Sequence, residues 1–354
     1  MSAGWDKVDR GGQAPGGWSP EAGPALLGGD GGTALVLEGA TFCVSRRGGD
    51  IAPDSPHGLF VADTRIVSRW QLAVDGQRVE PLITLNVARY RATFVGRTRP
   101  RPGRADSTLL VLRNRWIDGG MHEEITLRNL GHEAAGVLVM LAVDADLADL
   151  FEVKEGRVAL HPAVQITPGT DTLTFRSAAP FDERGMQVGI AQETTVTITP
   201  GLLSWAVVVP PRAHWSTSLT VHPVERANSP PARPDPNRAS GPAGRLEAWR
   251  LASPRIETPD AALAATLRTS RTDLGALQIS DPGHPQRRVV AAGAPWFMAL
   301  FGRDSLLTSW MALPLDQSLA LGTLQALAQH QGTQEEPLTE EQPGRILHEM
   351  RFGR

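Results

Sequence analysis

Cysteine is nearly absent from this chain, and lysine is almost as rare. Cys43 is the only cysteine in 354 residues, which excludes an internal disulfide and a cysteine-based zinc cluster. A single cysteine fits a reducing compartment, so we expect a cytoplasmic location. Lys7 and Lys154 are the only lysines, so arginine carries the basic charge, which indicates a GC-rich coding bias.

Long apolar runs and an excess of positive charge are also missing. No stretch reaches the ~18 consecutive apolar residues that a spanning helix needs, and residues 1–32 lack a basic segment followed by an apolar run. Neither a membrane span nor a signal peptide is predicted. The net charge of −3 argues against a nucleic-acid partner. Residues 1–32 are so rich in glycine and proline that we predict a disordered segment.

Residues 33–226 have the pattern of short strands separated by turns. Asp75 followed by Gly76, and Asp118 followed by two glycines, lie between strand-like runs, where tight hairpins need a positive φ. About a dozen short strands at this spacing predict a large antiparallel β-sandwich rather than a parallel sheet.

The composition changes after this part. Residues 227–240 are dense in proline and are predicted to form a linker. Residues 261–277, 306–312 and 315–328 carry leucines at helical spacing, and the first of these follows a proline. The fold class is therefore multidomain, β then α, with residues 241–354 forming an all-α second domain.

The most specific segment is residues 293–306, in which Trp296 and Phe297 precede Gly302, Arg303 and Asp304. Aromatic rings bind the C–H face of a sugar, while guanidinium and carboxylate groups bind its hydroxyls. The spacing alone also fits a simpler interpretation. In it, Asp304 or Ser305 caps a helix, the two aromatic residues are core and Arg303 is a solvated surface charge.

Four segments resemble one family. They are residues 295–305, which contain Pro-Trp-Phe and Phe-Gly-Arg-Asp-Ser, residues 343–351, and upstream residues 58–65 and 144–153. Together they are similar to bacterial glycogen debranching enzymes of the amylo-α-1,6-glucosidase type, over about residues 33–354. The resemblance implies a β-sandwich followed by an (α/α)6 toroid of the six-hairpin glycosidase class.

The resemblance also implies roles for individual residues. Arg303 and Asp304 are expected to hold the glucosyl unit before the scissile bond, with Trp296 as a neighbouring wall. His348 and Glu349 are candidates for substrate contacts in the same cavity, although an exposed pair at a helix end explains them equally well. No metal and no organic cofactor are expected, and the implied partner is a branched α-glucan or oligosaccharide.

Hydrolysis with inversion needs two carboxyl groups, an acid and a base, about 6.5–9.5 Å apart. Glu349 is the one late carboxylate inside a motif and is a candidate for one of these roles. The family pattern places the acid and base beyond Arg354, and residues 241–354 are too few for a closed toroid. The expectation is therefore an incomplete toroid and a frameshifted or fragmentary chain that lacks its general acid and base.

Three other polar groups have simpler explanations. Asp144, Asp146 and Asp149 lack the glycine and glutamate of a calcium loop, so no metal is predicted there. Asp63 to Arg65 fit a strand end with a local ion pair. His122 and the two glutamates after it are interpreted as a solvated strand edge.

The leading hypothesis is a glycogen-debranching glycoside hydrolase that acts on α-1,6 branch points. Two alternatives stay open. One is a non-catalytic glucan-binding or scaffold module, and the other is an enzyme of the trehalase, glucoamylase or sugar-epimerase type on the same toroid. Release of free glucose from a limit dextrin, as opposed to retention on glycogen, separates the enzyme from the binder.

Overall fold

The structure is a computed structural model that describes residues 32–100, 106–158, 164–191, 195–224, 241–281 and 283–351. The predicted linker at 227–240 lies outside the described residues, as does the predicted disordered segment at 1–32 apart from Gly32. Within the described ranges, the first part of the chain is built almost entirely of strands. The second part is mainly helical.

Nineteen strands and five helices are present in the described residues. The strands are β1 Thr33–Glu38, β2 Thr41–Arg46, β3 Gly58–Val61, β4 Thr64–Val67, β5 Arg69–Val74, β6 Gln77–Arg78, β7 Glu80–Ala88, β8 Arg91–Arg97, β9 Leu109–Ile117, β10 Met121–Asn129, β11 Ala135–Asp144, β12 Val164–Pro168, β13 Thr172–Ser177, β14 Gly185–Ile190, β15 Thr197–Thr199, β16 Leu202–Val209, β17 His214–Pro223, β18 Gln278–Asp281 and β19 His284–Val290. The helices are α1 Leu150–Lys154, α2 Pro242–Ala252, α3 Ala261–Ala276, α4 Gly302–Met311 and α5 Gln317–Gln329.

Two large antiparallel sheets make up most of the first part of the chain. One has eight strands in the order β12-β13-β14-β17-β10-β9-β8-β7, and the other has five in the order β15-β16-β11-β5-β6. Their inner faces share one apolar core, to which Val111 and Ile125 contribute from the first sheet and Leu141 and Trp205 from the second. The prediction of a β-rich, antiparallel first part is confirmed.

Both predicted hairpin turns are present. Asp75 and Gly76 connect β5 to β6 with φ values of 50° and 72°, and Gly119 connects β9 to β10 with φ of 65°. L-residues rarely adopt positive φ, so an aspartate–glycine pair is the expected local solution. The turn chemistry therefore determines where these strands reverse.

A third sheet lies between the sandwich and the helical part. It has four strands in the order β1-β2-β3-β4. Strand β2 is buried on both faces: Cys43 belongs to the sandwich core, while Phe42 and Val44 belong to a second core with residues of the helical part. Alternate side chains of a strand point to opposite faces, so one strand joins two cores.

The helical part departs from the all-α prediction. Helix α3 begins and ends within one residue of its predicted span, and α5 is close to its own predicted span. Helix α4 begins at Gly302, four residues earlier than predicted. Strands β18 and β19 form an antiparallel hairpin between α3 and α4. The all-α description of residues 241–354 is therefore wrong, because apolar side chains on this hairpin complete the second core.

A buried ionic cluster lies on the inner face of the eight-stranded sheet. Nε of Arg113 donates to Glu123 Oε1 at 2.7 Å, and Nε of Arg115 donates to Glu123 Oε2 at 2.6 Å. All three side chains are at most 2% exposed. Burial raises the pKa of Glu123, but the two guanidinium groups outweigh it and hold that pKa below its usual value.

His122 lies on the opposite face of the same strand and is also buried. Its ring stacks on Trp116 with centroids 5.4 Å apart, and the His222 ring lies 5.2 Å away. Burial, with a smaller contribution from the neighbouring His222, lowers the pKa of His122 to about 4. The interpretation of residues 122–124 as a solvated strand edge is wrong for His122 and Glu123, because both side chains are 1% exposed and β10 lies between β17 and β9 in the sheet.

Candidate functional site

The four segments that carry the family resemblance meet at the junction between the sandwich and the helical part. Arg351 joins three of them: Nη1 donates to Asp63 Oδ1 at 3.2 Å, and Nη2 donates to the Trp296 carbonyl at 3.2 Å. The fourth segment is attached through the Leu150 amide, which donates to the Asp63 carbonyl at 2.8 Å. Segments far apart in sequence therefore form one continuous structure.

On the sandwich side, a buried ion pair holds two of these segments together. Arg65 is 2% exposed, and its Nε donates to Asp146 Oδ1 at 3.1 Å. The Arg65 amide also donates to the Ala148 carbonyl at 2.9 Å. The turn before it places Asp63 at a positive φ of 65°. Asp63 lies in the turn at the end of β3, as interpreted from the sequence. The local ion pair is wrong, because Asp63 pairs with Arg351 and Arg65 pairs with Asp146, both far away in sequence.

Asp149 is the N-cap of helix α1. Its Oδ1 accepts from the Phe151 amide at 2.8 Å, and the Glu152 side chain accepts from the Asp149 amide at 3.0 Å. This reciprocal arrangement is a capping box. Asp146 and Asp149 thus have structural partners, and within the described ranges no group of three or more His, Cys, Asp and Glu side chains could hold a metal.

Trp296 lies in the second core. It is 3% exposed, and its ring meets those of Phe42 and Phe60 edge-on with centroids 6.1 and 5.5 Å apart. With its ring enclosed in this way, Trp296 has no exposed face to offer as the neighbouring wall that the resemblance implies. Phe297, the next residue, is 38% exposed and points outward instead.

Outside this core lies a surface on which aromatic rings alternate with cationic groups. Lys154 Nζ lies 4.5 Å from the centroid of Phe297, and the Arg351 guanidinium lies 4.9 Å from Phe151 and 5.2 Å from Phe301. We call it the aromatic–cationic surface; its members are Phe151, Lys154, Phe297, Phe301, His348 and Arg351. Cations over ring faces hold the rings in fixed orientations.

His348 and Glu349 enter this region through a short backbone pairing. The Gly302 amide donates to the His348 carbonyl at 2.9 Å, and Glu349 pairs with Phe301 as an isolated bridge. A side chain at Gly302 would collide with the Leu347 carbonyl, because a Cβ there would lie 2.3 Å from it. The glycine therefore permits the close approach of the two late segments.

The two side chains differ in their surroundings. His348 is exposed, and its ring meets that of Phe301 edge-on at 5.8 Å. Glu349 is half-buried, and its Oε2 accepts from Arg351 Nε at 2.7 Å. The structure thus brings both residues to the aromatic–cationic surface, with His348 open to solvent and Glu349 held by an ion pair.

Arg303 and Asp304 lie in the first turn of α4, directly after Phe301. Arg303 is exposed and Asp304 half-buried, and neither has a hydrogen bond or ion pair with a described residue. Neither lines any of three cavities, of about 440, 690 and 770 Å³. A carboxylate is favoured at a helix N-terminus, so Asp304 is stable there without a partner. The two side chains are available on an open surface.

The simpler interpretation is correct for Trp296, which is core, and for Arg303, which is an exposed charge, but it is wrong about the cap of the helix. The N-cap of α4 is Phe301, and neither Asp304 nor Ser305 caps the helix with its side chain. Ser305 is buried instead: its hydroxyl donates to the Val290 carbonyl at 2.6 Å and accepts from the Phe301 amide at 3.1 Å. The serine fixes the start of the helix to strand β19.

Sequence reasoning missed several members of this site. Phe151 and Arg351 lie inside the resembling segments and Lys154 directly follows one of them, but the sequence alone did not indicate these three as site residues. A signal for Lys154 exists, since it is one of two lysines in a chain that otherwise uses arginine. The exposed Trp310, at 65%, follows Arg303 by seven residues and so lies on the same face of α4.

Aromatic rings and charged groups thus lie where the sandwich joins the helical part. Residues 36–220, just over half of the chain, match the family described as the N-terminal domain of some glycogen debranching enzymes. The chain belongs to this family. A comparison with curated proteins finds no match.

Solved structures are similar to the chain in part. A putative kojibiose phosphorylase from the human microbiome has 9% identity, with 84% of this chain and 43% of that one covered and a TM-score of 0.47. A galactose mutarotase-like protein from Lactobacillus casei has 9% identity, with 55% of this chain and 100% of that one covered and a TM-score of 0.34. The chain thus spans less than half of the phosphorylase.

The described helices do not include one that is long and apolar enough to cross a membrane.

Proposed function

We propose that this chain supplies the sugar-binding part of a glycogen-debranching type glycoside hydrolase that acts on α-1,6 branch points. Membership of the debranching-enzyme family supports the substrate class. The observation that carries the proposal is the convergence of four separate segments on one aromatic–cationic surface. The lone buried Cys43 supports a cytoplasmic location for this activity.

The proposed glucosyl site combines this surface with the first turn of α4. Phe297 offers a partly exposed ring for the C–H face of a glucosyl unit. Arg303 and Asp304 supply donors and acceptors for its hydroxyls, and His348 is exposed beside Phe301. Trp296 lies beneath this surface, where its packing against Phe60 in the second core holds the backbone of the adjacent Phe297 in place.

Glu349 fits a positioning role better than a catalytic one. A general acid has to give its proton to the leaving oxygen. Glu349 accepts a hydrogen bond from Arg351, which itself bonds to Asp63 and to the Trp296 carbonyl. We propose that Glu349 and Arg351 fix the aromatic–cationic surface, and that the acid and base are other groups.

We also propose that residues 241–354 belong to an (α/α)6 toroid of which the chain holds the first helices, with the sandwich domain spanning residues 33–226. Helix α2 packs on α3, and α4 packs on α5. Pairs of contacting helices joined by connecting segments are the unit of such a toroid. The hairpin β18–β19 lies between the two pairs in the chain.

A non-catalytic glucan-binding module is the second candidate. The ion pair of Glu349 with Arg351 favours this candidate, because hydrolysis needs two carboxyl groups. Among the carboxylates of the family motifs near the surface, Asp304 alone then has no partner within the described residues. Both candidates need the same sugar-binding surface. They differ in whether glucose is released.

The deciding experiment measures both binding and hydrolysis. We expect the chain to be retarded by glycogen in affinity electrophoresis and Arg303→Met to lose most of this retardation, because a bidentate donor to sugar hydroxyls is removed. Incubation with a branched limit dextrin, followed by an enzymatic assay for glucose, separates the two candidates. Free glucose supports a hydrolase that holds its own acid and base, and retardation without glucose supports a chain that binds the glucan without them.

Arg268→Met is the matched control, since Arg268 is also an exposed helical arginine but lies on α3. It should leave the retardation unchanged. Equal retardation of both variants and the wild type would remove Arg303 from the proposed site. Release of glucose from α,α-trehalose but not from limit dextrin would favour a trehalase-type enzyme instead.

A further inference from the structure

A cavity of about 440 Å³ lies at the junction of the sandwich and the helical part, apart from the site described above. On the sandwich side it is lined by the ends of hairpins, including Glu38, Tyr90 and Asp118. On the other side it is lined by Arg245 of α2 and by Gln278 of β18. None of the six members of the aromatic–cationic surface lines it.

Gln278 is the feature of this cavity that indicates a ligand. The residue is only 8% exposed, and its Oε1 accepts from Arg288 Nη1 at 3.2 Å. Its amide nitrogen, Nε2, is buried and has no hydrogen-bond partner among the described residues. A buried N–H donor without an acceptor is unfavourable, so such groups normally have a partner. An acceptor oxygen inside the cavity would satisfy Nε2.

The charges around the cavity limit the chemistry of that ligand. Three carboxylates and three guanidinium groups line it, so no net charge attracts an ion. Glu38 Oε1 already accepts a hydrogen bond from Arg245 Nε, and Arg245 Nη2 lies 3.8 Å from Asp118 Oδ1. A lining of mixed donors and acceptors with one aromatic ring, from Tyr90, matches a neutral molecule with many hydroxyls.

We propose that this junction cavity binds a neutral mono- or disaccharide, with Gln278 Nε2 donating to one of its hydroxyl oxygens. The volume lies within the range of small-ligand sites, about 300–1,000 Å³. Residues of both parts of the chain line the cavity, so a bound sugar also contacts both. The site is independent of the proposed glucosyl site at Arg303 and Asp304.

The test is calorimetric titration of the whole chain with D-glucose and with maltose, using glucose 6-phosphate as the anionic comparison. We expect Gln278→Glu to weaken binding of the neutral sugar at least about tenfold, since the substitution replaces the donor by an acceptor of the same size. Gln286→Glu on β19 is the control, because Gln286 is exposed and does not line the cavity. It should bind as the wild type does.

A second variant covers the case in which Gln278→Glu does not fold. Ala40 lies in the turn between β1 and β2 and lines the same cavity, so Ala40→Trp should fill it and abolish binding. Circular dichroism checks the fold of each variant. Binding that survives both variants, stronger binding of glucose 6-phosphate than of glucose, or no binding at millimolar sugar overturns the proposal.

The two sugar sites can be told apart with Arg303→Met. If that variant keeps calorimetric binding of the small sugar, and Gln278→Glu loses it, the junction cavity is the binding site. If Arg303→Met loses the binding and Gln278→Glu keeps it, the cavity proposal fails while the proposed function stands.

Discussion

Glu123 shows at the scale of one residue how position decides the state of a charged group. It occupies the core-facing side of β10, where it is 1% exposed, together with two arginines of β9. Such a cluster is favourable only while every charge keeps its partners, because an isolated buried charge is strongly destabilising. Arg113 also donates to Asp50 Oδ1 at 2.6 Å, so the cluster connects the sheet to the turn after β2.

We expect Glu123→Gln to lower the free energy of unfolding by about 3–5 kcal/mol, because two guanidinium groups lose their buried counter-charge. Urea unfolding followed by circular dichroism measures the change. Glu124→Gln is the control, since the neighbouring Glu124 is half-buried and bonds only to Asn114 among the described residues. It should change stability by less than about 0.5 kcal/mol. Equal effects of the two variants would contradict the role assigned to the cluster.

Two neighbouring aromatic residues can differ completely in burial. Trp296 is enclosed by Phe42 and Phe60, whereas Phe297 is 38% exposed beside Lys154. The segment around them identifies the family, but nothing within the segment says which ring faces the core. That depends on the position of β2 and β3, which lie far away in sequence.

At the scale of one element, the hairpin between β5 and β6 shows that the residues of a turn can by themselves determine where a strand reverses. Gly76 has a positive φ of 72°, and a Cβ there would meet no atom within 4 Å. The requirement for glycine is therefore purely one of backbone conformation. Gly136 in β11 also has open space around it but has no positive φ.

We expect Gly76→Ala to lower the free energy of unfolding by about 1–2 kcal/mol, because alanine is strained at positive φ. Gly136→Ala should instead be neutral or stabilising by up to about 1 kcal/mol, since glycine weakens the interior of a strand. Thermal unfolding of both variants gives the comparison. Destabilisation of the two variants by the same amount would contradict backbone conformation as the reason for glycine at position 76.

The hairpin β18–β19 and the start of α4 could not be predicted from the local sequence. The periodicity of leucines located α3 to within a residue, but β18 and β19 have no clear alternation of apolar residues. They are strands because they pair with each other and because Ile279 and Val289 reach the second core. Helix α4 begins early because Ser305 binds the Val290 carbonyl, a contact that its sequence does not encode locally.

At the scale of the whole molecule, the second core joins the sandwich to the helices. It contains Phe42 and Phe60 from the four-stranded sheet, Trp296 from the segment before α4, and Ala326 and Leu327 from α5. Residues of both parts are buried against each other, so the two should unfold together.

We expect a single unfolding transition for the wild type in guanidinium, with coincident curves from circular dichroism and tryptophan fluorescence. Trp296→Ala should lower the free energy of unfolding by about 3–5 kcal/mol, because it opens a cavity in the shared core. Trp310→Ala is the matched control, since Trp310 is 65% exposed on α4, and it should have little effect. Separate transitions in the wild type would contradict a shared core.

The sequence alone determined the features that depend on neighbouring residues: the β-rich first part, both hairpin turns, the approximate helices and the family motifs. Only the tertiary structure decided which side chains are buried, because burial depends on partners from distant segments. It placed Trp296 inside and Phe297 outside, buried Glu123, and brought Asp63, Trp296 and Arg351 together. It also created the cavity beside Gln278, since no single segment contains both of its walls.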